Sequence, residues 1–198
     1  DRYIIEDDYD CEFRYSTKSI PALQSMDLSH RVIYMNTFSK TLTPTIRISY
    51  MVLPDKLVEV FHRELGFYSC TVSNFEQYTL ARFIRGGYFE KHINRMRNCY
   101  RKRREALLHA MKAGGLFRHA DLIERGSGLH FLLHFHTDKD DGALQQEFAQ
   151  KGIRMRPLRD YYVGTADGAA HTFVLNYSGM EESCLEEAIA RIVSCLEA

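Results

Sequence analysis

The chain has 198 residues, 45% of them hydrophobic, enough apolar material for one large core or two small ones. Lys plus Arg equals Asp plus Glu at 26 each, which excludes a basic field that would draw this stretch of protein to nucleic acid or to an anionic membrane. The five cysteines, Cys11, Cys70, Cys99, Cys184 and Cys195, are odd in number and scattered, a pattern of reduced thiols rather than a disulfide framework, and no apolar run reaches the ~20 residues of a membrane span. The cytoplasm is the expected compartment.

In chain order, Tyr3 to Ile5 opens directly into an apolar strand, as expected of a piece cut from something longer. Arg31 to Asn36 and Ile46 to Leu53 read as two further short buried strands. Asp55 to Leu65 follows as a helix capped by Asp55, then Ser73 to Arg85 as a helix with Ser73 and Glu76 in capping-box spacing, stopped at Gly86-Gly87. Phe89, Ile93, Met96, Tyr100, Leu107 and Met111 recur at helical spacing, which predicts one long helix from Tyr88 to Ala113, ended by Gly114-Gly115. The last third reads as strands over Leu122 to Glu124, Leu129 to Phe135, Ile153 to Pro157 and Thr172 to Tyr177, with helices over Ala143 to Lys151 and Ser183 to Leu196. The expected class is α/β with a boundary near Gly86-Gly87, dividing residues 1–86 from 87–198.

Two stretches carry chemistry. In EDDYDCEF, a strand continuing from Tyr3 to Tyr9 would put Asp7 and Tyr9 on one face and Glu6, Asp8 and Asp10 on the other, and a slip of one residue would exchange Asp7 for Asp8. In VIYMNTFSKTLTPTIRISY, the same alternation pairs the hydroxyls of Thr37 and Ser39, while Lys40 supplies an amine and Arg47 a planar fork suited to phosphate. A lysine, a carboxylate, a phenol and a hydroxyl-plus-arginine clamp are the parts a pyridoxal 5'-phosphate (PLP) site requires.

TFSK followed by Arg47 resembles the lysine motif of fold type I aminotransferases. From Tyr3 to about Leu108, through IIEDDYDCEFRY, IPALQSMD and SNFEQYTLARFIRGGYFEKHINRMRNCYRKRREAL, the chain is similar to the aminotransferase-like domain of the MocR/GabR subfamily of GntR transcriptional regulators. The resemblance implies a fold type I arrangement: residues 1–86 as the C-terminal part of the PLP-binding large domain, and residues 87–198 as a linking helix with a small α+β domain. It implies a Schiff base through Lys40, Asp7 on the pyridine nitrogen, Tyr9 on the ring oxygen, and Thr37, Ser39 and Arg47 on the phosphate. It also implies a longer parent, homodimeric, binding DNA through an N-terminal winged-helix domain and an amino compound as effector or substrate. Three functions follow: an effector-sensing regulator domain, a working aminotransferase, or a non-catalytic dimerisation domain.

Fold type I enzymes usually carry an arginine for the substrate carboxylate in a late small-domain strand, and Val174 stands at that place here, so that either the ligand lacks an α-carboxylate there or Arg154, Arg156 or Arg159 takes over the clamp. That departure predicts poor transamination of ordinary α-amino acids. Two other features read as structural. His130, His134 and His136 alternate along one strand and are expected on an exposed sheet face with no metal, and the basic run Arg95, Arg97, Arg101, Lys102, Arg103 and Arg104 on a solvated or interdomain helix face.

Overall fold

The computed structural model describes residues 2–13, 21–124, 128–165 and 168–197. They form two compact units, Asp1–Arg97 and Asn98–Ala198. The division falls inside the long helix.

In the first unit, β1 (Ile4–Asp7) runs parallel to β2 (Val32–Thr37), and β3 (Ser49–Val52) runs antiparallel on its other side. Between β1 and β2 lies a short helix, α1 (Leu23–Met26), which no periodicity announces. Its N-terminal amides donate to the Glu6 carboxylate, Leu23 at 2.7 Å and Gln24 at 3.0 Å, so a β1 side chain supplies the cap that Ala22 lacks. Asp27 then gathers the amides of Ser29, Arg31 and Val32 and sets the start of β2. β2 leads into another short helix, α2 (Phe38–Thr41).

Helices α3 (Asp55–Leu65), α4 (Asn74–Arg85) and α5 (Tyr88–Ala113) fall where the periodicity puts them. Ser73 and Glu76 form the expected capping box, with Glu76 N donating to Ser73 Oγ at 3.2 Å and Ser73 Oγ to Glu76 Oε2 at 2.9 Å. The expected Asp55 cap is corrected: Pro54 holds the cap position of α3 without a side-chain bond, and Asp55 is the first helical residue. Gly87, at φ +70°, makes the left-handed turn between α4 and α5.

The second unit is a four-stranded antiparallel sheet in the order β4-β5-β7-β6, from β4 (Ala120–Ile123), β5 (His130–Phe135), β6 (Arg156–Pro157) and β7 (Thr172–Asn176). Helices α6 (Asp141–Gln150) and α7 (Leu185–Leu196) accompany it. Alternation sends Phe131, Leu133, Phe135, Phe173 and Leu175 inward, where they are buried with Leu144, Phe148, Ile189 and Ile192. The end of α5 adds Leu107 and Met111 to the buried set. Gly114 is required by packing, since a Cβ there would stand 2.6 Å from Ile189 Cγ2.

Several expected strands are shorter than their apolar runs. β3 begins at Ser49 rather than Ile46 because Arg47 adopts φ +49°, which no extended strand contains. β6 keeps only Arg156 and Pro157 of the expected five residues. The expectation of a buried strand holds for β2, where Val32 and Asn36 are buried, but is corrected for β3, whose four side chains are all exposed, as are Ile4 (53%) and Ile5 (66%) on opposite faces of β1.

The inner face of the second unit sets its stability. Phe173 packs against Phe135 at 5.5 Å and Phe148 at 5.7 Å between ring centroids, each edge to face. Phe173→Ala is expected to cost about 3–5 kcal/mol. Urea denaturation checks this, and a loss below about 1 kcal/mol would mean the neighbouring rings close the cavity.

Candidate functional site

The site residues sit where β1, β2 and the start of β3 come together. Parallel register matches Asp7 with Met35, and antiparallel register matches Thr37 with Ser49 and Met35 with Met51. Residues matched across a ladder share a face and residues two apart repeat it, so Asp7 and Thr37 lie on the same side of the sheet. Asp8 lies on the other side, where Tyr34 Oη donates to its Oδ2 at 3.2 Å and Asn36 Nδ2 donates to Tyr34 Oη at 2.9 Å. Burial and then the Asp8 hydrogen bond push the Cys11 thiol up, out of reach of ordinary pH. Asp8 is therefore committed to a polar cluster behind the sheet, while Asp7 is exposed on the face of Thr37.

Neither of two pairings expected from strand alternation is made by a strand face. The strand ends at Asp7; the amide of Asp8 makes a last bond to Met35 O at 2.9 Å, and the chain bends at Tyr9 and Asp10, closed by Phe13 N donating to Asp10 O at 3.0 Å. Period-two geometry thus does not extend to Tyr9. The Tyr9 phenol is raised by the Asp10 charge first, then by burial, and least by Asp7. Similarly, β2 ends at Thr37 and Ser39 lies in the first turn of α2. Thr37 caps that turn, with Ser39 N donating to its Oγ1 at 3.2 Å, and the Thr37 and Ser39 hydroxyls stand 3.1 Å apart. The pair exists because of a helix cap, not a strand face.

Lys40 occupies the last turn of α2. Ile48 O accepts from Phe38 N at 2.9 Å and from Thr37 Oγ1 at 3.2 Å, which ties the start of β3 to the base of this turn. Between them runs the loop 42–47, whose Arg47 holds the left-handed conformation at a cost of about 1–2 kcal/mol for a residue with a Cβ. Lys40 and Arg47 are both exposed, and neither forms a hydrogen bond or ion pair with the described residues. The Asp8–Tyr34–Asn36 cluster was not foreseen from sequence; its one signal is Asn36, a buried amide at the end of an apolar run. An apolar cavity of about 500 Å³ lies beside the loop, bordered by Leu42, Ile46, Phe75, Leu80 and Phe83, but none of the six expected site residues lines it.

In the second unit, Val174 is matched directly with Arg156 of β6. Arg159 is held by Asp140 (3.6 Å) and the buried Asp141 (3.4 Å). His134 Nδ1 meets Thr172 Oγ1 at 3.1 Å, and His136 pairs with Asp121 at 2.8 Å. Among the described residues no group of three or more His, Cys, Asp or Glu is arranged for a metal ion. The basic run is distributed over local partners: Arg97 donates to Glu12 O at 3.0 Å, Arg103 to Ser178 O, and Arg104 grips Glu124 with two bonds of 2.6 and 2.5 Å. All five cysteines are free thiols, and no helix among the described residues is long and apolar enough to cross a membrane.

Comparison with solved structures gives the class. Kynurenine aminotransferase from Pyrococcus horikoshii superposes with a TM-score of 0.81 at 27% identity over 98% of this chain and 48% of that one. The fold is that of the fold type I PLP-dependent aminotransferases. No family model matches the chain. Among sequences, it is 40% identical to the HTH-type transcriptional regulator YdeL of Bacillus subtilis over 96% of this chain and 40% of that protein. It is 34% identical to the probable rhizopine catabolism regulatory protein MocR of Rhizobium meliloti over 96% of this chain and 38% of that protein. The chain is thus related to the aminotransferase-like portion of HTH-type regulators of the MocR kind, and spans about two fifths of their length.

The Tyr9 phenol is pushed above its ordinary range by the Asp10 charge first, then by burial, then by Asp7. A phenol raised in the folded state contributes stability that is complete below the unfolded pKa of about 10 and is lost as pH rises through the folded value. Asp10→Asn should therefore bring Tyr9 ionisation to lower pH. Ultraviolet phenolate titration, taken as the difference from a Tyr9→Phe control, reads this directly, and an unmoved curve would show that the Asp10 charge does not reach the phenol.

Proposed function

We propose that this chain is the cofactor-holding, effector-sensing part of a MocR/GabR-like transcriptional regulator of the GntR family, with PLP carried on Lys40. The observation that carries this reading is the convergence of Asp7, Thr37, Ser39, Lys40 and Arg47 at one end of a small sheet, in a chain aligned over nearly its whole length with HTH-type regulators. The donor set fits the cofactor: an amine, a carboxylate, a phenol, two hydroxyls and an unengaged guanidinium are present, and the competing carboxylate, Asp8, is engaged elsewhere.

When bound, PLP supplies an aldehyde that captures amines and a ring that accepts electrons. Lys40 would hold the cofactor through its Nζ. Asp7 would face the ring nitrogen and hold a proton there by a charge-assisted hydrogen bond. Tyr9, a phenol pushed above its ordinary range first by the Asp10 charge, would donate to the ring oxygen. Thr37, Ser39 and Arg47 would meet the phosphate. An amino compound held beside Lys40 would bias a conformational equilibrium that an N-terminal winged-helix domain reads on DNA. The setting is cytoplasmic and the working unit a homodimer.

Residues 1–86 are the C-terminal part of the PLP-binding large domain in this reading, and residues 87–198 the linking helix and small domain. Exposure of Ile4 and Ile5 supports it, because parallel strands are ordinarily covered on both faces and the rest of a longer chain would cover these. A PLP-dependent aminotransferase is the second reading, supported by the likeness to the Pyrococcus horikoshii enzyme.

Borohydride reduction of the full-length protein loaded with PLP, followed by peptide mass mapping, should place the label on Lys40; label on Lys56 would overturn the site. Asp7→Asn should weaken PLP binding roughly tenfold or more in equilibrium dialysis, the worth of one charge-assisted hydrogen bond, while Asp8→Asn leaves it near wild type. The reverse order would move the ring contact to the other face of the sheet.

A further inference from the structure

Helix α5 opens with YFEKHINR, and the helical repeat brings Tyr88, Lys91, His92 and Arg95 to one face of its first two turns. That face borders two cavities, both inside the first unit. One is the apolar cavity of about 500 Å³ walled by Leu42, Ile46, Phe75, Leu80 and Phe83. The other, of about 340 Å³, is bordered by Phe83, Tyr88, Lys91, His92 and Arg95. Phe83, His92 and Arg95 belong to both, so an apolar chamber and a basic one meet along a common edge.

The polar groups on that edge are not satisfied by their neighbours. Arg95 Nη2 lies 3.2 Å from His92 Nδ1, and a guanidinium can only donate, so Nδ1 accepts and the ring hydrogen sits on Nε2. Nε2 is buried and has no hydrogen-bond partner among the described residues. Such a donor is an exception in a folded protein and asks for an acceptor. Lys91 lies over the Tyr88 ring at 5.8 Å, and neither Lys91 nor Arg95 forms an ion pair with a described carboxylate. Glu76, the one carboxylate bordering either cavity among the described residues, accepts from Ser73 Oγ at 2.9 Å. A buried N–H flanked by two unneutralised cations, beside apolar walls, selects an anion with a hydrocarbon body. The larger cavity lies within the range of about 300–1,000 Å³ that holds small molecules.

We propose that this junction binds a small apolar organic anion, its head at His92 Nε2 between Lys91 and Arg95 and its body against Leu42, Ile46, Phe75 and Leu80. His92 and Arg95 are the specificity-determining residues. None of the six candidate cofactor residues borders either cavity, so the proposal goes beyond the effector-sensing reading and does not rest on it.

The test is isothermal titration of the full-length protein with octanoate, with acetate, which has the head and no body, and with octanamide, which has the body and no charge. Octanoate should bind once per chain, and acetate and octanamide about tenfold or more weakly. Lys91→Gln with Arg95→Gln should weaken octanoate about tenfold or more, as should His92→Leu, while His92→Gln, which keeps an N–H donor, should recover part of the loss. Thr79→Trp, which fills the apolar cavity and leaves the charges in place, should abolish binding. Arg101→Gln, further along α5, should match wild type. No octanoate binding by wild type, or binding that survives both the paired charge removal and Thr79→Trp, overturns the proposal. Octanoate carries no amine, so failure of lysine labelling would overturn the cofactor reading and leave this result standing.

Discussion

The parallel pairing of β1 with β2 is the contact on which the candidate site depends. It matches Asp7 with Met35 and so selects which of two adjacent aspartates shares a face with Thr37. Side chains alternate strictly along a strand, and a slip of one residue would present Asp8 instead. The register is secured away from the site. The Glu6 carboxylate caps α1, and Asp27 collects the amides at the start of β2. The Asp8–Tyr34 hydrogen bond holds the second aspartate on the far side. These are side-chain to backbone and side-chain to side-chain contacts between segments distant in sequence, and together they fix a choice that strand propensity leaves open.

The second constraint is the turn that follows β2. Its hydrogen bonds converge on Ile48 O, which accepts from Phe38 N and Thr37 Oγ1 and so anchors the lysine-bearing turn to the next strand. A loop pinned at both ends has to reverse direction within a few residues, and Arg47 absorbs that reversal in a left-handed conformation. Strain of this kind persists only where surrounding contacts over-determine it. It also has a geometric result: the guanidinium leaves the backbone next to the turn that carries Thr37, Ser39 and Lys40, and is not set into the alternation of β3.

The second unit solves a different problem with a one-sided sheet. Its inner face is a close-packed aromatic and aliphatic core, and its outer face carries His134 and His136 in hydrogen-bonded pairs with Thr172 and Asp121. The basic run of α5 belongs to the same economy of local partners. Arg103 and Arg104 reach a backbone carbonyl and a carboxylate of their own unit, so a cluster that looks in sequence like a nucleic-acid surface is largely spent on internal contacts. This agrees with the zero net charge of the chain.

The sequence by itself determined the helices, because helix formation follows from local periodicity and caps: α5 runs from Tyr88 to Ala113 as its apolar spacing requires, and Ser73 and Glu76 close their box. It also marked Lys40, Asp7, Tyr9, Thr37, Ser39 and Arg47 as candidates by residue type and order. What it did not determine was how those residues come together. The sequence gives no sign that the strand stops at Asp7, that a helix cap joins Thr37 to Ser39, or that Arg47 turns left-handed, because each depends on a hydrogen bond to a residue far along the chain or on closing a loop between two fixed ends. The same holds for Val174 and Arg156. Their separation in sequence is meaningless until antiparallel register sets them opposite one another, and register is a property of the assembled sheet.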